Sequence, residues 1–314
     1  MTPRPTRAAR LAPDALRRLS AAVFGSALRP AAGLLAAALT VAAPAAAGPA
    51  GRIVSVGGAV TEIVVALGHG GDLAAVDTTS LYPPAVVAPL PKVGYMRQLS
   101  AEGVIALRPD PLLVVEGTGP ADALRLIGDA GVPVTVVPER FSAAGVAAKI
   151  RAVGAALGAG PAADTLATAN EARFARLTAG NAAVVRPVRV LFALSAQGGR
   201  LMAAGRGTAA DAALRLAGAV NALDGFDGYK PVADEAVIAA APDAVVVMEN
   251  GGQPAAEILA TPVVAATPAG KAGRLFTVDG VGLLGFGPRT AAEAAALRAR
   301  LYPAIAFPPV EAAP

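Results

Sequence analysis

Tyr95, Met96 and Arg97 stand side by side in "PLPKVGYMRQLSAEGVIALRPDPLLVV", residues 89–115, behind a glycine and ahead of an amphipathic segment from Ser100 to Leu107. The chain has four tyrosines and no tryptophan, so a loop tyrosine next to an arginine invites a chemical reading. A phenol ionises with an intrinsic pKa of about 10, and a nearby cation favours the anion. Tyr95 is therefore a candidate oxygen ligand, or else a ring packed on the following helix. Arg97 can hydrogen-bond a phenolate or fork onto a carboxylate. Met96 can line an apolar ligand or fill a gap under the loop. A second group, Arg206, Tyr229 and Lys230, offers the same side-chain types more than a hundred residues later.

Other chemistries are poorly supplied. The chain has one histidine, His69, and no cysteine, which excludes the usual zinc and copper clusters. His69, in "ALGHGGDL", reads as a helix C-terminal histidine. A Ser/His/Asp set would have to be built on that one imidazole, which leaves hydrolase readings weak. "GRGTAA", residues 205–210, matches G-x-G-x-x-A, but a dinucleotide site needs a strand directly before it. "GGRLMAA" is read as intervening between it and the strand "VRVLFAL".

Such side chains act only where a fold brings them together. "RIVSVG", "LAAVD", "LLVVEG" and "VPVTVVP" read as strands, with helices at "AVTEIVVALG", Ala101–Leu107 and Ala121–Ala130 between them. That order predicts an α/β lobe with a mostly parallel sheet. Residues 142–182 carry no strand signal and read as helical, with Pro161 near a helix start. Strands return at "VRVLFAL", "AVVVME" and "RLFTVD". The expected domains are 48–141, an N-terminal α/β lobe; 142–182, a helical linker; and 183–314, a C-terminal α/β lobe. Within them "GYMRQLSAEGVIALRPDPLLVVEGTG" lines up with "GYKPVADEAVIAAAPDAVVVMENGG". Each copy opens on Gly-Tyr and places a glutamate, Glu102 or Glu235, seven residues before Pro-Asp. Ligands of open α/β sheets bind beyond the carboxyl ends of the strands. Two Rossmann-like lobes facing one another would put a ligand between them, with Tyr95 and Tyr229 entering from opposite sides.

"RIVSVGGAVTEIVVALG", "LPKVGYMRQLSAEGVIALRPD" and "MAAGRGTAADAALRLAGAVNALDGFDGYKPVADE" resemble the haem-binding periplasmic proteins of haem-uptake ABC transporters. These belong to the helix-spined substrate-binding proteins that also carry siderophores and cobalamin. The resemblance spans essentially all of the chain after residue 47. It implies haem b as a transported ligand, with Tyr95 as the iron ligand and Met96, Arg97, Arg206, Tyr229 and Lys230 around it. Tyrosinate is a known haem ligand, and a hard oxygen anion suits ferric iron. The resemblance also implies that Glu102 and Glu235 dock on arginines of an inner-membrane permease, which works with its ATPase. Ordinary first-turn glutamates, favoured by the helix dipole, are the plainer reading. Some relatives carry a histidine in the first loop of the second lobe; here that loop is "ALSAQGGRLMAAG", with Ala196 and Gln197 in its place. The expectation is one haem, held by a single tyrosinate. The alternatives are a ferric siderophore or cobalamin carrier, or a tetrapyrrole-processing enzyme; a binding protein without catalysis is preferred.

The pI of about 9.7 does not point to nucleic acid. Residues 1–47 hold six arginines and one acid, which leaves 21 basic and 22 acidic residues in the rest. That leader reads as a signal peptide: a basic region, a mostly alanine run from Ala31, and Ala45-Ala46-Ala47 as the cleavage site. Arg17-Arg18 allows twin-arginine as well as Sec export. Without cysteine there is neither a disulfide framework nor a lipidation site. The chain is expected to act as a monomer in the periplasm.

Overall fold

The computed structural model describes residues 51–197, 200–249 and 254–311. The leader, 1–47, lies outside the described residues. In the first lobe the elements are β1 (Ile53–Val56), α1 (Gly58–Ala66), β2 (Leu73–Val76), α2 (Pro84–Val87), β3 (Gly94–Tyr95), β4 (Gln98–Leu99), α3 (Ala101–Ala106), β5 (Leu112–Val115), α4 (Ala121–Asp129) and β6 (Val134–Val137). Four of these strands form an all-parallel sheet in the order β2-β1-β5-β6. "IVSV" and "LLVV" are buried at every residue, because helices cover both faces of such a sheet. β3 and β4 make a separate two-stranded ribbon.

The helical middle is two helices, α5 (Ala143–Ala156) and α6 (Gly160–Gly180). Ser142 caps α5, its hydroxyl accepting from Gly145 N–H at 3.1 Å. α5 packs on α1 and β6 of the first lobe. α6, with 21 residues, runs roughly 31 Å at 1.5 Å per residue. It packs along α5 and then against the last helix of the second lobe. The two helices come together at Gly154, where any Cβ would fall on that of Ala163.

The second lobe contains β7 (Arg189–Gln197), β8 (Arg200–Ala204), α7 (Ala209–Leu216), β9 (Val220–Asn221), β10 (Tyr229–Val232), α8 (Asp234–Ala240), β11 (Ala244–Met248), α9 (Ala255–Leu259), α10 (Pro262–Ala266), α11 (Pro268–Lys271), β12 (Leu275–Val278), α12 (Gly280–Leu284) and α13 (Thr290–Leu301). Its sheet runs β10-β8-β7-β11-β12, with β9 also beside β7. β9, β11 and β12 are parallel to the sheet's long strand β7 or to its neighbour, whereas β8 and β10 run antiparallel. The antiparallel part begins at the end of β7, where Gln197 pairs with Arg200 of β8.

The internal repeat is present in the backbone. β5 lies beside β1 as β11 lies beside β7. Each copy leaves its helix through a left-handed residue before Pro-Asp, Arg108 at φ 48° and Ala241 at φ 42°. Each aspartate N–H then donates to an arginine carbonyl at the head of the neighbouring strand, Asp110 to Arg52 and Asp243 to Arg189. The copies differ at their tyrosines. Tyr95 pairs only within its ribbon, while Tyr229 pairs with Ala204 in the main sheet.

The lobes meet along the first turn of α1. A methyl at Gly58 would lie 2.7 Å from Val281 Cγ1, and one at Gly287 2.9 Å from Ala59 Cβ. Beside this contact Arg289 reaches across to Glu62 at 2.7 Å and holds Asp279 at 2.7 Å. Buried Lys149 binds the Glu139 carboxylate of the first lobe and the Gly285 carbonyl of the second, each at 2.8 Å.

Candidate ligand cleft

A cleft of about 860 Å³ lies between the lobes. Its first wall is the residues that follow β1, β2, β5 and β6: Gly57 to Val60, Thr78, Thr79 and Leu81, Glu116, and Glu139 with Phe141. Its second wall holds Gly207 to Ala209, Gly228 and Tyr229, with Met248, Gly280, Val281, Leu284 and Gly285 along the floor. These are strand ends and helix starts, the places where open α/β sheets take ligands.

Tyr95, Met96 and Arg97 all line this space. Gly94 turns the chain into them at φ 100°, a conformation suited to glycine. Tyr95 is 43% exposed, and its hydroxyl has no hydrogen-bond partner among the described residues. Met96 is half-buried and packs on the core beneath. Arg97 is exposed and, among the described residues, is the one cation in the lining.

Tyr229 enters from the opposite lobe, with its hydroxyl turned inward. That oxygen accepts the N–H of Ala210, in the first turn of α7, at 3.4 Å. Burial pushes the Tyr229 hydroxyl above its usual range, outweighing the pull of the Ala210 N–H, Thr208 and Arg97. It therefore stays protonated, although 38% of the residue is open to the cleft.

Arg206 and Lys230 do not line the cavity. Arg206 is exposed and bound to Asp227 at 3.0 Å. Lys230 follows Tyr229 on β10, so the strand's alternation turns it to the other face, where its ammonium lies 5.7 Å from the Phe226 ring centroid. Glu102 and Glu235 are exposed in the first turns of α3 and α8, the two repeat-related helices. Neither has an ion-pair partner among the described residues. His69 lies off the cavity, with Nδ1 2.8 Å from Asp72 Oδ2. Ala196 lies on β7, paired with Leu201, and is not in the lining.

At residues 205–210 the structure corrects the sequence reading. A strand, β8, does stand directly before the motif, and α7 follows it. β8 is antiparallel to β7, however, so the unit is not the parallel one a dinucleotide fold uses. Gly205 is needed because the Phe226 carbonyl occupies the space of a Cβ.

Two acids of the cleft were not foreseen. Glu116 accepts from Arg140 at 2.6 Å and from Glu139 N–H at 2.9 Å. These bonds, the backbone one first, hold Glu116 below the ordinary carboxylate range. Burial pushes Glu139 up despite Lys149, and burial likewise lowers Lys149. An acid one or two residues after a strand, as in "VVEG" and "VVPER", is the signal that would have found both. Met248, at the end of β11, is read from sequence only as a strand residue.

A family model described as periplasmic binding protein matches residues 53–281. The chain belongs to the periplasmic binding protein family. Among solved structures, this family member is similar to the periplasmic haem-binding protein BhuT in complex with two haems, at 42% identity and a TM-score of 0.75, covering 82% of this chain and 99% of that one. It is also similar to the periplasmic haem-binding protein RhuT from Roseiflexus sp. RS-1 in apo form, at 36% identity and a TM-score of 0.77, covering 81% of this chain and 98% of that one. The uncharacterized ABC transporter substrate-binding lipoprotein YvrC of Bacillus subtilis is 30% identical over 202 residues, 63% of this chain. The match spans 64% of that curated relative's length.

Proposed function

We propose that this periplasmic binding protein captures haem b and delivers it to an inner-membrane ABC permease and its ATPase, acting by binding and not by turnover. The carrying observation is the cleft itself: among the described residues it presents a phenol with no partner, Tyr95, and one lining cation, Arg97. Ionised Tyr95 would coordinate ferric iron. Arg97 would stabilise that phenolate or pair with a propionate. Leu81, Met96, Phe141, Met248 and Leu284 offer apolar surface to the porphyrin. Met96, Tyr229 and the rim cations Arg206 and Lys230 complete the proposed surroundings, the last two only at the margin. The similarity to haem-binding relatives supports the cargo. Glu102 and Glu235 would dock on the permease. The mature chain would work as a periplasmic monomer after removal of residues 1–47.

We put the stoichiometry at one haem. The Tyr229 oxygen already accepts the Ala210 N–H and burial raises its pKa, which disfavours it as a second phenolate ligand. BhuT, with its two haems, makes this a sharp test. Purified residues 48–314 are titrated with haemin, with a ferric siderophore and cobalamin in parallel. The expected result is a Soret band that saturates at one equivalent, together with a phenolate charge-transfer band. Saturation at two equivalents would overturn the stoichiometry, and an unchanged haemin spectrum would overturn the cargo.

A further inference from the structure

Tyr95 lies on a ribbon too small to hold itself. β3 and β4 share two residue pairs, Gly94 with Leu99 and Tyr95 with Gln98, and an isolated hairpin is marginal in water at best. Its place is therefore set from outside. On one side Gly119 N–H donates to the Met96 carbonyl and Leu99 N–H to the Gly119 carbonyl, each at 2.9 Å. On the other side Val93 N–H donates to the Val76 carbonyl and Thr78 N–H to the Gly94 carbonyl, each at 3.0 Å.

Asp77 sits between those two anchors, Val76 and Thr78. It is fully buried and has no ion-pair partner among the described residues. Its carboxylate is met instead by four donors. Oδ1 accepts Gly57 N–H at 2.9 Å and the Ser80 hydroxyl at 2.6 Å. Oδ2 accepts Thr79 N–H at 3.0 Å and the Thr79 hydroxyl at 2.6 Å. Behind Ser80 a hydroxyl chain runs through Thr61 to Ser55, with both steps at 2.7 Å. A buried carboxylate tolerates little loss of such bonds, so the 76–80 loop is fixed against α1. Lys92, two residues ahead of Gly94, adds a bond to the Val87 carbonyl at 3.0 Å. Tyr229 needs no such device, because β10 pairs four residues with β8.

We propose that Asp77 is the positioning residue for Tyr95. Its buried carboxylate freezes the 76–80 loop, and the Thr78 N–H and Val76 carbonyl of that loop hold the ribbon so that the phenol stands at one place in the cleft. The cost of ordering the ligand residue is met before haem arrives. The role rests on the reading of Tyr95 as the haem ligand.

Two variants test it. Asp77→Asn keeps the shape but sets an amide donor against donors, and Ser80→Ala removes a single hydroxyl. Thr267→Ala removes an equally buried hydroxyl in the second lobe, bonded to Val264 O, and serves as the control. Hydrogen exchange on residues 48–314 without haem should show the amides of 92–99 exchanging about tenfold faster in both test variants, with β5 and β11 unchanged and Thr267→Ala like wild type. Haem transfer to excess apomyoglobin should speed up by about tenfold, with a weaker phenolate band. Ribbon exchange at the wild-type rate, or unchanged haem transfer, in the variants that fold would overturn the proposal. If Asp77→Asn does not fold, Ser80→Ala decides. A wild-type chain that takes no haemin would remove the haem reading, and the Tyr95-ligand role with it, while exchange still reports on the ribbon.

Discussion

Tyr95 and Tyr229 reach the same cleft with different chemistry left to them. The Tyr229 oxygen accepts a helix N–H and burial raises its pKa, whereas the Tyr95 hydroxyl has no partner among the described residues and lines the cleft with Arg97. Tyr95→Ala should therefore lower haemin affinity at least about a hundredfold, roughly 2.7 kcal/mol. Tyr95→His should retain binding with an altered spectrum, since imidazole is also an axial ligand. Tyr229→Phe should leave the phenolate band in place. Visible titrations decide all three, and an unchanged Soret band in Tyr95→Ala would remove the ligand assignment. "GYMR" could be read from sequence because its residues are consecutive and share one loop. Arg206 and Lys230 lie off the lining; for Lys230, nearness in sequence to Tyr229 says nothing about which face of a strand a side chain takes.

At the scale of elements, the repeat places Glu102 and Glu235 alike: first helical turn, exposed, unpaired among the described residues. Glu102→Arg combined with Glu235→Arg should leave haemin binding intact and stop delivery to the importer, because like charges would meet at the docking points. Uptake into vesicles carrying the permease and ATPase checks this, and normal transport would take both residues out of the interface. Along the helical middle, α5 and α6 touch at Gly154 and Ala163 with no room for another carbon. Gly154→Val should cost about 1–3 kcal/mol through overpacking, measurable by chemical denaturation. A neutral effect would mean the helices can part without loss. Helix and strand types were legible here from periodicity. The ribbon at 94–99 was not, since two-residue strands carry no period.

Over the whole molecule, the lobes are joined beneath the cleft by the Glu62–Arg289–Asp279 cluster. Burial raises Glu62 above its ordinary value of 4.5, more than Arg289 lowers it. In Asp279 the balance is reversed: burial is outweighed by Arg289 and by the N–H groups of Val281 and Gly282, and its carboxyl stays low. Between 4.5 and the raised value of Glu62 the folded state holds more protons than the unfolded one, so this group's contribution to stability falls as pH rises. Glu62→Gln cannot ionise and keeps an oxygen for Arg289. Its Tm relative to wild type should climb as pH rises above 4.5. A constant difference in thermal melts would show that burial does not raise Glu62.

The sequence by itself determined the alternation of strands and helices, the two-lobed α/β class, the internal repeat and the Tyr95 loop, because each is written in local period, in turn residues or in a short contiguous motif. Only the tertiary structure decided which strand ends share the cleft. Glu116, Glu139 and Met248 are brought there by sheet order, and Lys230 is turned away by strand register. The antiparallel β8 and β10 and the charge cluster joining the lobes belong to the same class. All of these depend on contacts between residues far apart in the chain, and a charge or an apolar run carries no local mark of the partner it will meet.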